Sequence, residues 1–172
     1  RSTFSDGEGT LVTRSETVRE KGVWTDRTVT GLAHVSGVTQ LAVYNDNGPS
    51  ELPLRVFRAM ATHGISVDFI NVMPTGVHYT VPGADTDDAI RLLRELEFEP
   101  VVRRGCAKVS LIGGGMNGEP GVMAGIVEAL TTAGISILQS ADSNTTIWVL
   151  IAETDLAAAL QALHSAFGLH LA

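Results

Sequence analysis

Cysteine is almost missing from the chain, with Cys106 the single one in 172 residues. One thiol excludes an internal disulfide and any multi-cysteine zinc site, and it fits a reducing cytosol. Aromatic residues make up only 5% of the sequence, too few for a base-stacking platform. Positive charge is also short: 12 Lys+Arg stand against 19 Asp+Glu, a net charge of −7. That balance disfavours a nucleic-acid backbone or an anionic membrane as the main partner. No apolar run approaches the ~20 residues needed to span a bilayer, and no signal peptide is visible, so a cytoplasmic location is expected. The first residue is Arg1 rather than an initiator Met, which reads as a piece of something longer. What is present suffices for folding. An apolar share of 44% fills a core, and 18% charged residues is too few for a disordered chain. At ~100–200 residues per domain, the length allows one medium domain or two small ones.

The opening stretch RSTFSDGEGTLVTRSETVREKG is polar and lacks sustained periodicity. From Thr28 the pattern becomes regular. TVTGLAH (28–34) and VTQLAVY (38–44) are β-branched runs separated by Ser36-Gly37 and read as two strands. Pro49-Ser50 opens an amphipathic helix with Leu52, Val56, Phe57 and Met60 on one face, stopped by Gly64. ISVDFINV (65–72) and GVHYTV (76–81) form a hairpin around Met73-Pro74-Thr75. Helix 86–97 and a strand near 100–104 follow. The order then returns: strand 108–113, a helix started by Pro120 and stopped by Gly134, hairpin strands 135–141 and 145–151, and helix 155–166.

An offset of 70 residues exposes the repeat, with RAMATHGISV (58–67) overlaying EALTTAGISI (128–137). Two ferredoxin-like β-α-β-β-α-β units of the α+β class explain it better than a solenoid, which needs at least ~3 repeats. The second unit runs out of chain after its last helix, while strand 28–34 is left over at the start. The simplest closure has that strand complete the second sheet, so that the first unit is inserted into the second. An uncompleted edge would expose backbone donors and acceptors.

The strongest local signal is GGGMNGEPG (113–121), lying between a strand and a helix. Gly113, Gly115 and Gly118 satisfy G-x-G-x-x-G, with Asp142 further on. The dinucleotide reading fails on topology, because only Asp142-Ser143-Asn144 separates the next two strands and the fingerprint needs a parallel crossover. A structural glycine turn remains open. So does a small-anion site at the helix N-terminus, where free N–H groups and the dipole suit a carboxylate. Ser136, Gln139 and Ser140 on the next strand offer acceptors to an ammonium. The equivalent corner of the first unit holds Asn45, Asp46, Asn47 and Gly48 beside Asn71. Both corners fit a free amino acid, although Asn-Asp-Asn-Gly is also an ordinary turn. Asp85, Asp87 and Asp88 read as helix-start acids rather than metal ligands. The five histidines, Cys106, Ser140 and Ser143 form no catalytic set, and neither a metal nor a cofactor is expected.

LxVYNDNGPS and VSLIGGGMNGEPGV, each ahead of its unit's first helix, resemble the paired ACT domains of bacterial aspartokinases. FRAMATHGISVDFINV and ISILQSADSNTTIWVLI are similar to the same regulatory region, and RSTFSDGEGTLV resembles the tail of the catalytic domain. The resemblance implies that 1–27 ends a catalytic domain or linker, 38–106 is the first ACT unit, and 28–37 with 107–172 is the second. It implies a regulatory half or β subunit that does not phosphorylate aspartate alone. It also implies a homodimer through the ACT units, a catalytic domain or subunit as partner, and a pathway end-product (lysine, threonine or diaminopimelate) bound between one chain's first unit and its partner's second.

On that basis the carboxylate is expected at the helix N-termini, near Asp46, Asn47, Gly48, Glu51 and Leu52 and near Pro120, Gly121 and Val122. Asn71, Ser136 and Gln139 are expected to take the ammonium or side chain, flanked by Val72, Met116, Ile135, Ile137 and Ser143. Gly48-Pro49-Ser50-Glu51 departs from the family's Asp-x-Pro-Gly turn. Phe69-Ile70-Asn71 and Gln139–Ser143 look more like the diaminopimelate-sensitive isozymes. Two further readings stand beside this one: a ligand-free assembly module, and a nucleotide-binding enzyme domain.

Overall fold

The two β-branched runs expected as separate strands fold as one. In the computed structural model, which describes residues 28–45, 51–114, 116 and 120–169, strand β1 runs unbroken from Gly31 to Tyr44. Gly37 takes a left-handed φ of 69° and absorbs an extra residue, and the register against β4 slips there without losing the pairing. The strands expected near 100–104 and 108–113 merge in the same way into β4 (Val101–Ile112), where Gly105 has a φ of 64°. The expected tail 1–27 and the turn residues Asp46, Asn47 and Gly48 lie outside the described residues.

The other elements follow the expected order: α1 (Leu52–Thr62), β2 (Asp68–Met73), β3 (Gly76–Pro82), α2 (Thr86–Glu95), α3 (Val122–Thr132), β5 (Gln139–Asp142), β6 (Thr146–Ala152) and α4 (Leu156–Ala166). They build an α+β fold on one antiparallel sheet of order β2-β3-β1-β4-β6-β5. Residues 38–44 of β1 pair with β3 and with the first half of β4. Residues 31–35 pair only with the second half of β4, which in turn pairs with β6. Pro53 occupies the first turn of α1, while Pro49-Ser50, expected to open that helix, lie outside the described residues. Pro120 precedes α3 instead of starting it, and Gly121, at φ 97°, is the residue before the first turn.

The repeat is written into the helix ends. Gly64 and Gly134 both adopt left-handed φ, 70° and 73°, just past α1 and α3. Ile65 N–H then reaches back to the Met60 carbonyl (3.0 Å), and Ile135 N–H to that of Leu130 (2.9 Å). These are the six-to-one bonds of a Schellman ending, which satisfies carbonyls the helix leaves open.

Each pair of helices covers its own apolar cluster. Leu41, Val43, Val56, Met60, Val77, Tyr79 and Leu93 fill one, beneath α1 and α2. Ala107, Val109, Leu111, Ile126, Leu130, Val149, Ile151 and Leu163 fill the other, beneath α3 and α4. A third and smaller cluster takes the alternate residues of the strands, with Phe69, Cys106 and Leu150 at its centre. Among the described residues the Tyr79 hydroxyl is buried without a hydrogen-bond partner, although its ring meets Phe57 edge-on at 5.5 Å. An unpaired buried hydroxyl costs free energy that a phenyl ring of the same shape avoids. Tyr79→Phe is therefore expected to raise stability by about 1 kcal/mol, read as a higher urea midpoint with an unchanged slope.

Candidate functional site

Three of the expected binding residues come together. Ile135, Ser136 and Ile137 lead from α3 into β5 and, with Val127, Thr131 and Gly134, line an open cleft of about 450 Å³. Ile135 is anchored in the core, while Ser136 is exposed at the cleft surface. The cleft lies along the C-terminal half of α3, where the helix dipole is negative and suits an ammonium.

The corner expected to take the carboxylate is elsewhere. α3 has 11 residues, and at 1.5 Å per residue its N-terminus stands about 16 Å from its far end. Pro120–Val122 and Ser136 therefore lie too far apart within one chain for a single amino acid to reach both. Pro120 and Gly121 are exposed, but Val122 is buried in the core, and so is Met116. At the other helix start, Glu51 is exposed and its carbonyl accepts from Arg55 N–H, while Leu52 is buried beneath α1. Leu52, Met116 and Val122 are apolar packing residues; Leu52 and Val122 each open a helix, where a place in the periodic pattern looks the same as a place beside a ligand.

Asn71 and Val72 are exposed on the edge strand β2, and Asn71 stands opposite His78 in register. The Tyr44 ring meets the His78 ring edge-on at 5.4 Å, with the hydroxyl 3.1 Å from Nε2. Burial holds the imidazole below the ordinary histidine pKa, which favours its neutral form. Ser143 serves the β5–β6 turn: its Oγ accepts the Thr146 N–H at 3.2 Å, and its own N–H donates to the Thr146 carbonyl at 2.8 Å.

Gln139 is not open to a ligand. It is buried, and both ends of its carboxamide are engaged with Gln40 and the Phe69 carbonyl. Beside it Asp68 pairs with Lys108 of β4. Burial alone would raise the Asp68 pKa. Hydrogen bonds from Lys108 and from Phe69 N–H, with the lysine's charge, outweigh that and bring it below the ordinary carboxylate value.

A second cleft, of about 750 Å³, was not expected. It lies between α2 and β4 and is lined by Asp87, Ile90, Arg91, Arg94, Glu95, Val102 and Arg104. The alternating charges of RLLRELE were the available signal. Its arginines are already paired: Arg91 with Asp88 and Glu95, Arg94 with Glu99, and Arg104 with Asp87. Asp87 and Asp88 thus serve as ion-pair partners, and Asp85 makes no side-chain capping bond.

The ACT domain family matches residues 101–165. The regulatory subunit of aspartate kinase from Thermus thermophilus superposes with a TM-score of 0.73 at 32% identity, covering 82% of this chain and 99% of that one. The chain belongs to the ACT-domain regulatory family of the aspartokinases. Aspartokinase 1 of Bacillus subtilis is 48% identical over 169 residues, which is 98% of this chain and 42% of that protein. The chain thus spans less than half the length of that curated relative. E. coli aspartokinase III, solved in complex with lysine and aspartate in a T-state, matches 84% of this chain and 34% of its own with a TM-score of 0.68 at 26% identity. The Ser136 cleft of this ACT-family chain falls inside the segment that the family match covers. Among the described residues no helix is long and apolar enough to cross a membrane.

Proposed function

We propose that the chain is the regulatory region of an aspartate kinase and binds an end-product amino acid for feedback inhibition. The observation that carries the reading is the open cleft that gathers Ile135, Ser136 and Ile137 at the approach to β5. The likeness to a regulatory subunit over nearly all of that subunit's length supports it, as does the lysine complex of the E. coli relative. We read the sheet as two ACT units, 38–106 inserted between 28–37 and 107–172. The pairing of residues 31–35 with the second half of β4 supports that division. One chain keeps Ser136 and the α3 N-terminus a helix length apart, which supports a reading in which the second half of each site comes from a partner copy. The ammonium then sits in the Ser136 cleft and the carboxylate at a helix N-terminus across a homodimer, with the catalytic domain or subunit as the further partner. The effector stabilises one arrangement of the paired units and biases the attached kinase by the same free energy, a coupling of ~1–3 kcal/mol or about 5–150-fold in affinity.

Calorimetric titration of the chain with lysine, threonine and meso-diaminopimelate tests this. Heat is expected from one of them, and the likeness of Phe69-Ile70-Asn71 to diaminopimelate-sensitive isozymes puts that compound first. Ser136→Trp is expected to abolish the heat while leaving the circular dichroism and melting temperature intact. No heat and no ligand-induced rise in melting temperature with any of the three would leave the assembly-module reading standing.

A further inference from the structure

β2 and β5 are the two outermost strands of the sheet, at opposite ends of its order, yet they are joined. Gln139, the first residue of β5, donates from Nε2 to the Phe69 carbonyl at 2.5 Å and accepts at Oε1 from Gln40 Nε2 at 2.9 Å. A carbonyl can only accept, so Phe69 fixes which way the Gln139 amide points and, through it, the amide of Gln40. Both glutamines are buried.

The β2 side of the contact is equally constrained. Phe69 holds a left-handed φ of 53°, unusual for a residue with a bulky side chain, and the β2–β3 register slips between Asp68 and Asn71. Asp68 keeps that conformation in place: Oδ1 accepts the Phe69 N–H at 2.7 Å, and Oδ2 pairs with Lys108 on β4. The Phe69 ring packs among Cys106, Leu150, Val38 and Leu138.

The contact follows the repeat. Phe69 and Gln139 are 70 residues apart, the same offset that overlays the two halves, so equivalent positions meet across a local two-fold. The same offset carries Asp68 to Leu138 and Lys108 back to Val38. One half therefore uses an ion pair where the other supplies two apolar side chains to the shared cluster.

We propose that this clasp, Gln40–Gln139–Phe69 with Asp68–Lys108, makes the two edge strands move as one, so that a displacement imposed near Asn71 on β2 reaches β5 and the Ser136 cleft, and the reverse. What imposes the displacement rests on the effector reading above. The mechanical link is independent of it, and Gln139 is a positioning residue.

Amide hydrogen exchange on the whole chain without any ligand tests the link. Gln139→Leu, a change in β5, is expected to reduce protection across Phe69–Met73 of β2 by at least ~tenfold; Asp68→Asn, a change in β2, is expected to do the same across Gln139–Asp142 of β5. Loss confined to the strand that carries the substitution overturns the proposal, because a merely local packing role predicts that pattern. If Gln139→Leu does not fold, Gln40→Leu/Gln139→Leu removes both amides together and leaves only the Phe69 carbonyl to resolve, with the same readout. Meso-diaminopimelate, lysine and threonine are then added in turn. Slowed exchange in both strands of the unaltered chain but in one strand of Gln139→Leu supports transmission, whereas slowing in both strands of the variant overturns it. An absence of any ligand effect counts against the effector reading alone, and the ligand-free comparison still decides the clasp.

Discussion

Gly113→Ala is expected to lower the free energy of unfolding by about 3 kcal/mol or more, at the upper end of overpacking costs, while Gly114→Ala next to it changes stability little. A Cβ built on Gly113 would lie 1.8 Å from the Thr28 carbonyl oxygen, 2.8 Å from its carbon and 3.1 Å from the Val29 Cα. All three atoms are backbone, so no side chain can rotate aside. A Cβ on Gly114 meets no atom of the described residues within 4 Å. The crossing is held from both sides: Thr30 N–H donates to the Ile112 carbonyl at 2.7 Å, and Gly113 N–H to that of Thr145 at 3.0 Å. Val29, alongside, is a member of the core under α3 and α4. The first glycine of the G-x-G-x-x-G run is therefore required by the entering chain and not by a phosphate. Urea midpoints for the two variants check this, and equal midpoints would refute the packing account.

Much of the fold was legible because its signals are local. The Gly64 and Gly134 helix stops are single residues whose φ decides a Schellman ending, and both hairpins form where short turn sequences separate apolar runs. For the left-over strand 28–34 backbone arithmetic gave an expected place in the second sheet, and the register observed is of residues 31–35 against the second half of β4. Continuity was misread, because a glycine between β-branched runs marks equally well a break or a bulge, and only the partner strand's register distinguishes them. The site was less legible. Ser136 and Gln139 carry the same signal, a polar side chain at a strand approach; Ser136 lines an open cleft, whereas Gln139 is consumed by a contact to Phe69, 70 residues away in sequence. Leu52, Met116 and Val122 are core residues, and for Leu52 and Val122, each the first residue of a helix, nothing in a linear pattern tells a core position from a ligand contact. The ion-paired cleft between α2 and β4 needed the third dimension, since Arg104 and Asp87 come from different elements.

Met60→Ala is expected to cost about 2–5 kcal/mol, and to shift the unfolding of the distant half by the same amount. Met60 is fully buried beneath α1 and α2, and its loss opens a cavity among Leu41, Val56, Tyr79 and Leu93. Among the described residues the two helix-covered cores share no buried residue, which would allow them to melt separately. The strands argue otherwise. β1 supplies Leu41 and Val43 to one core and Leu32 to the other, while β4 supplies Val102 to the first and Ala107, Val109 and Leu111 to the second. Neither half can lose its central strands without stripping the other of its own, and the Gln139–Phe69 contact adds a third tie. Trp148 on β6 reports on the distant half once Trp24 is replaced by Phe, and circular dichroism reports on the whole. Coincident transitions, both moved to lower urea by Met60→Ala, are the expected result. A Trp148 transition that stays in place while the rest moves would show that the two halves fold independently despite their common strands.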